Sequence, residues 1–196
     1  GYDRIRNEPH SESEEDFITQ RLKEEVKEAQ REGSLPRWAD RYFITDQTPV
    51  SGPDRVGKAR PKIDIEIEST ESRNRPVFHF EAKRLRRSDS HSVSEYAGPA
   101  GLGSFLSELY ARCGHEGGML GYVQSDSPKY WADAIGRKVA GAPKKDVCFT
   151  SDGGWTPTQV ISTLKHSYST RHGRPKLGDI TIYHTLLDFR SEKGAS

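Results

Sequence analysis

Cysteine is nearly missing: Cys113 and Cys148 are the only two among 196 residues, and they form no CxxC pair. Neither a disulfide framework nor a zinc ribbon is therefore expected, and a reducing, cytoplasmic setting fits that scarcity. No apolar run approaches the ~20 residues that a membrane span requires, and no signal-peptide pattern opens the chain. With 30% charged residues and a mean hydropathy of -0.84, the chain reads as soluble, with no membrane partner. The opening Gly1, with no initiator methionine before it, reads as a processed terminus. An excess of charge of one sign is missing too. The formal net charge is +1, so a nucleic-acid signal must come from local clustering. The histidines form no HExxH, the Cys113-Gly114-His115 run has no second half for zinc, and no GxSxG elbow occurs. "GPAGLG" at 98–103 is followed by no GK[ST], which excludes a Walker loop; it reads as a flexible connection, a lid or hinge.

What is present suffices for one domain with a real core, at the usual ~100–200 residues per domain. Residues 1–12 read as a flexible arm, 13–190 as the domain and 191–196 as a flexible tail. A helix follows the arm, capped by Ser11 or Ser13 and ended by Gly33 and Pro36. Ile18, Leu22, Val26 and Ala29 form its apolar stripe. Glu15, three residues before Ile18, points along that buried face, and Glu14 and Glu25 compete with it for any role there. "RYFIT" at 41–45 reads as a strand, followed by a turn-rich loop. Further on, Leu102, Phe105, Leu106, Leu109 and Cys113 mark a helix from near Ser104 to Gly114. "GGMLGYVQ" reads as a buried strand, Ser127-Pro128 as a helix start and "DVCFT" as a short strand. Two last strands are joined around Gly173 to Gly178. The pattern is α/β, a mixed β-sheet flanked by helices.

The informative stretch is "PKIDIEIESTESRNRPVFHFEAKRLRR", Pro61 to Arg87. Side chains alternate along a strand, so Ile63, Ile65 and Ile67 share one face and Asp64, Glu66 and Glu68 the other. In the second segment Phe78, Phe80 and Ala82 oppose Val77, His79, Glu81 and Lys83. An antiparallel pair that sets Ile67 opposite Phe78 also sets Ile65 opposite Phe80 and Asp64 opposite Glu81. That register gathers the apolar side chains on one face and two carboxylates with Lys83 on the other, and a one-residue slip scrambles both. Facing carboxylates repel. A hard divalent cation between them resolves the conflict, Mg²⁺ being the expectation and Mn²⁺ a substitute. Lys83 would orient an attacking water or steady charge on phosphorus.

The basic run that follows gives Arg84, Arg86 and Arg87 as candidate phosphate contacts, with Arg75, Lys58 and Arg60 as further ones. Glu66 and Glu68 read as solvent-facing or as partners of His79 and Arg73. Gln124, ending a strand, is a candidate for a phosphate or water. His172 and Arg174 read as an exposed turn, within reach of nucleic acid, and His184 as a packed or edge histidine.

Asp64, then sixteen residues, then Glu81-Ala82-Lys83, behind a helix that carries Glu15, resembles the PD-(D/E)xK nuclease superfamily and its restriction-endonuclease-like core. The resemblance covers about Ser13 to Val123, with the proline, Pro61, three residues before the aspartate instead of adjacent to it. It implies an Mg²⁺-dependent nuclease cleaving phosphodiester bonds in DNA in preference to RNA, in a bacterial restriction or phage-defence setting. It implies Asp64, Glu81 and the Ala82 carbonyl as metal ligands, Glu15 completing the shell directly or through water, and Lys83 helping to activate water. A homodimer or a larger defence complex would supply specificity. The rival expectations are a nuclease-like fold that binds nucleic acid or a protein partner without cutting, and an RNA-directed nuclease.

Overall fold

A computed structural model describes residues 1–50, 60–71, 75–112, 114–150 and 153–190. Lys58, Arg73, Cys113 and the expected tail 191–196 lie outside the described residues. The chain runs α1 (Tyr2–Ile5), α2 (Glu15–Arg31), a 3₁₀ turn (Arg37–Arg41), β1 (Tyr42–Pro49), β2 (Lys62–Ser69) and β3 (Val77–Leu85). It continues through α3 (Ser92–Ala97), α4 (Leu102–Leu106), β4 (Glu116–Val123), α5 (Pro128–Ala140), α6 (Lys144–Val147), β5 (Thr156–Pro157), β6 (Ser167–Arg174) and β7 (Gly178–Asp188). The strands form one seven-stranded sheet in the order β1-β2-β3-β4-β7-β6-β5. The pairs β3/β4 and β4/β7 are parallel and the others antiparallel. The protein is thus α/β with a mixed sheet flanked by helices. Among the described residues no helix is long and apolar enough to cross a membrane.

Helices cover both faces of the sheet. On one face Ile18 and Leu22 of α2 and Ile5 of α1 pack on Ala82, Tyr122, Leu187 and Phe189. On the other, Tyr96, Leu102, Phe105, Trp131 and Ile135 pack on Leu85, Met119, Val123, Ile180 and Ile182. Each fully buried aliphatic side chain contributes roughly 1.5–3 kcal/mol, so the two faces together fix the sheet between the helices. Glu15 and Asp16 lie in the first turn of α2, where the helix dipole favours them. The N-cap is Glu14, with no side-chain cap bond, in place of the expected Ser11 or Ser13. Gly33 follows the helix at φ 63°, the left-handed stop read from the sequence. Ser127 caps α5 by accepting the Tyr130 N–H at 3.1 Å, with Pro128 in the first turn.

Several expectations are corrected. Residues 1–12 are packed instead of forming an arm: Ile5 is fully buried, His10 is 2% exposed, and Tyr2 donates its hydroxyl to the Asp188 carbonyl. The Tyr2 and His10 rings of that segment pack edge-on against Phe189, and Ile5 joins the same cluster. The helix expected from Ser104 to Gly114 ends at Leu106, because Glu108 and Ala111 adopt φ 61° and 52°. Glu108 is held there by accepting the Lys176 and Leu177 N–H groups at 2.6 and 3.0 Å. "GPAGLG" is a tight turn that leads into α4. A Cβ on Gly98 would sit 2.3 Å from the Ser94 carbonyl oxygen, and one on Gly101 2.3 Å from that of Tyr96. "DVCFT" contributes the end of α6 and a single bridge, Phe149 to His172, with no strand.

The β6–β7 hairpin is present, yet His172 and Arg174 are buried rather than exposed. Arg174 donates to the carbonyls of Ala111, Gly114, Leu177 and Gly178, which bury its guanidinium. His172 joins a buried chain. Its Nδ1 lies on the Val147 carbonyl, so Nε2 must accept from the Thr170 hydroxyl. Thr170 then accepts from His184 Nε2, and His184 Nδ1 accepts from the Tyr96 hydroxyl. Burial keeps both rings neutral, pushing His184 down to about 3. His184 is therefore a packed histidine, as expected.

Candidate active site at the fork of β2 and β3

The hairpin has the register read from the sequence, Ile67 opposite Phe78 and Ile65 opposite Phe80. The ladder stops there. Beyond it, β2 stays paired to β1 as far as Lys62, while β3 pairs with β4 as far as Leu85. The two strands part at Asp64 and Glu81, so the expected single apolar face does not persist. Ile63 belongs to the core beneath α3–α5, whereas Ala82 belongs to the core beneath α2.

In the fork, Asp64 Oδ2 accepts the Ala82 N–H at 2.7 Å, a carboxylate standing where a ladder carbonyl would have stood. Lys83 enters the same space. Its Nζ lies 2.6 Å from the Ala82 carbonyl oxygen, 2.7 Å from Glu81 Oε1, 3.2 Å from Glu15 Oε1 and 3.9 Å from Asp64 Oδ2. The other Glu15 oxygen accepts the Arg84 N–H at 3.0 Å. Glu15, from α2, is the helix acid that reaches the site. Glu14 turns to Arg84 and Glu25 to Arg21 and Arg4.

Three carboxylates and one ammonium share this space, with Asp64 8% and Glu81 5% exposed. Burial raises the Glu81 carboxyl, the Asp64 charge adds to it, and Lys83 only partly opposes them; the result is about 7. Burial also raises Asp64 and Glu15, against the pull of the Ala82 amide and Lys83 on the former and of Lys83 on the latter. Burial alone would lower Lys83, but Glu15 and Glu81 outweigh it and leave its pKa raised. Tyr110 lies against Glu81, yet its hydroxyl hydrogen goes to the Lys62 carbonyl at 2.6 Å, and Glu81 Oε2 is left buried without a partner.

Among the described residues no group of three or more His, Cys, Asp or Glu is arranged to hold a metal ion. The Lys83 ammonium fills the centre of the oxygens that would do so. The donors nevertheless fit a hard divalent cation in kind: carboxylates of Asp64, Glu81 and Glu15, a backbone carbonyl, and one buried carboxylate oxygen with nothing to bind. A cation there would occupy the place the ammonium now fills.

The basic residues divide. Arg84 and Arg86 follow Lys83 directly and are paired with Glu14 and Glu12, each also reaching Asp89. Arg87 is the most exposed of the three, 5.9 Å over the Tyr130 ring and 3.5 Å from Asp126. Arg75 is not brought to the site. It pairs with Glu68 at the opposite end of the hairpin, with roughly 13 Å of strand between Val77 and Glu81. Glu66 faces His79 at 3.3 Å, as one expectation had it. Gln124 is withdrawn from any substrate. It is 5% exposed, and its Nε2 donates to the His10 and Ser13 carbonyls.

Two residues escaped the sequence reading. Gln47, opposite Asp64 in the β1–β2 register, reaches Asp64 Oδ1 at 3.4 Å and Asp16 at 3.3 Å from a backbone at φ 51°. Tyr110 lies against Glu81. Neither carries a local signal, since Gln47 lies where a turn-rich loop was expected and Tyr110 falls between Leu109 and Cys113 without belonging to the apolar stripe. The chain matches no family model, no curated protein and no solved structure.

Proposed function

We propose that this protein is a divalent-metal-dependent phosphodiester hydrolase with a restriction-endonuclease-like core, acting on nucleic acid and on DNA in preference to RNA. The observation that carries the reading is the convergence of Asp64, Glu81, the Ala82 carbonyl, Lys83 and Glu15 from three elements into one fork. Burial is the main cause that raises the pKa values of the three carboxyls, and carboxyls so perturbed at one point are a mark of functional sites. Bound among these oxygens, Mg²⁺ or Mn²⁺ would supply Lewis-acid charge to a phosphoryl oxygen and an acidified water. Asp64 and Glu81, with Glu15, would hold that ion, and the Ala82 N–H orients the Asp64 carboxylate for it. Lys83, once out of the carboxylate cluster, has the reach and charge to hold a water or a developing phosphorane oxygen.

The test is cleavage of supercoiled plasmid, linear duplex, single-stranded DNA and RNA in Mg²⁺, Mn²⁺ or EDTA, beside Asp64→Asn and Lys83→Ala. Metal-dependent cutting lost in both variants is the expected result, and equal cutting by the variants would overturn it. Binding without cutting is the second reading, and it is favoured by the place the Lys83 ammonium holds amid the acids. Calorimetry with Mn²⁺ separates the two, because the binding fold would have no Asp64-dependent site. A homodimer or a defence-complex partner that sets specificity belongs to the same proposal, and a monomer with full sequence-specific activity in sedimentation would remove it.

A further inference from the structure

The acidic residues that lead into α2 lie against the arginines that leave β3. Glu12 Oε2 is 2.7 Å from Arg86 Nη1, and Glu14 Oε2 is 2.8 Å from Arg84 Nη1. The two sides of these pairs differ. The guanidinium side chains are 20% and 22% exposed, the carboxylates 85% and 76%. The arginines are the fixed members and the glutamates the removable ones. Asp89 holds the second edge of both forks, 3.1 Å from Arg86 Nη2 and 3.7 Å from Arg84 Nη2. The Glu12 carboxylate oxygen, hydrogen-bonded to Arg86 Nη1 at 2.7 Å, stands where a phosphate oxygen would stand, and the Glu14 carboxylate supplies the same charge beside Arg84. Glu12 accepts a hydrogen bond from Arg86 Nη1, whereas Glu14 approaches Arg84 Nη1 as an ion pair without hydrogen-bond geometry, so Arg84 Nη1 and Arg86 Nε both retain donor capacity.

We infer that Glu12 and Glu14 are built-in phosphate mimics, covering Arg84 and Arg86 until a nucleic-acid backbone displaces them. The inference rests on the nucleic-acid reading above. The segment stays close by because the buried Gln124 amide grips the His10 and Ser13 carbonyls at 2.6 and 2.8 Å, and because Glu15 is committed to Lys83 and the Arg84 N–H. Displacement needs only the rotation of two exposed side chains, with no unfolding. The tether keeps the mimic at high effective concentration and makes it a competitor that weak ligands fail to displace.

The test is the affinity of a labelled short duplex and a labelled single strand, measured by anisotropy at low salt in EDTA so that nothing is cut. Glu12→Gln with Glu14→Gln is compared with Glu24→Gln plus Glu28→Gln, the same charge change on exposed acids further along α2. The first pair is expected to bind roughly two- to thirty-fold tighter than the second, the range two displaced ion pairs allow. That gain is expected to vanish when Arg84→Gln and Arg86→Gln are added. A gain equal to that of the control, or one that survives the arginine changes, overturns the mimic. If the arginine changes weaken binding while the two glutamine pairs behave alike, the mimic alone falls. If no variant binds either strand form, the nucleic-acid reading falls and takes the mimic with it.

Discussion

Glu81→Gln should make the metal-free protein more stable at neutral to alkaline pH. Glu81 is raised from its usual 4.5 to about 7 in the fold, chiefly by burial and then by Asp64. The sign follows from linkage. The folded state holds this proton more tightly than the unfolded chain, so no stability is lost below about pH 4.5. It is lost progressively as the pH climbs, and the full cost is reached above about 7. At roughly 1.4 kcal/mol per pH unit, the ionised carboxylate costs on the order of 3 kcal/mol. Glutamine copies the protonated form and can still accept from Lys83 Nζ, now 2.7 Å from Glu81 Oε1. Urea unfolding in EDTA across about pH 5 to 8.5 is the assay. The variant should match the wild type near pH 5, exceed it by up to about 3 kcal/mol near pH 8, and run flatter between. Millimolar Mg²⁺ should narrow the gap by stabilising the wild type alone, since only a ligand of the native state adds stability. A variant less stable than the wild type at pH 8, or one with a parallel pH profile, would refute the crowding of charge at the fork.

Lys83→Met removes the one cation from three carboxylates. It should cost about 3–5 kcal/mol near pH 8, with the loss shrinking toward pH 5 as the acids, whose folded pKa values rise further, take up protons; denaturation at the two pH values checks it. Thr170→Val cuts the buried chain between His172 and His184 and orphans two ring nitrogens, so chemical denaturation should register a loss of about 2 kcal/mol or more. Arg75→Gln should leave cleavage and affinity within about twofold, because Arg75 stands at the far end of the hairpin; a loss as large as that of Arg84→Gln would place the substrate along the whole hairpin.

The register of β2 and β3 was legible because alternation leaves only one parity that keeps isoleucine and phenylalanine together. Glu15 was legible for a similar reason, three residues from Ile18 on the stripe that packs on Ala82. Three of the errors share one physical source, contacts between residues far apart in sequence. Glu108 leaves the helical region to take amides of the β6–β7 turn, and Arg174 is buried by carbonyls sixty or more residues earlier. The arm is packed because Tyr2 and His10 meet Phe189. None of these partners leaves a periodic trace, so local pattern gave helix, exposed turn and arm where tertiary contact decided otherwise.

The fork itself shows how a charged pair can end a ladder and be kept by doing so. In a continued hairpin the Ala82 N–H would face a β2 carbonyl, and Asp64 would sit directly across from Glu81, an unfavourable pairing of like charges. Here the Asp64 carboxylate takes that N–H itself, while β3 keeps its other edge paired to β4 through Leu85. No backbone donor is orphaned by the parting at Ala82. The opening gives the Ala82 carbonyl to Lys83 and brings the ammonium among Glu81, Glu15 and Asp64. Asp64 therefore ends the strand pairing and supplies charge to the space so made. It follows that Asp64→Asn, which retains an oxygen to accept from the Ala82 amide, should preserve the fork and remove only a negative charge. Asp64→Leu should lose both, leaving the buried amide unpaired at a cost of about 1–3 kcal/mol. Amide exchange at Ala82 reads the difference directly: protection near that of the wild type in Asp64→Asn and fast exchange in Asp64→Leu. Equal protection in both would mean that the ladder, and not the carboxylate, holds the fork.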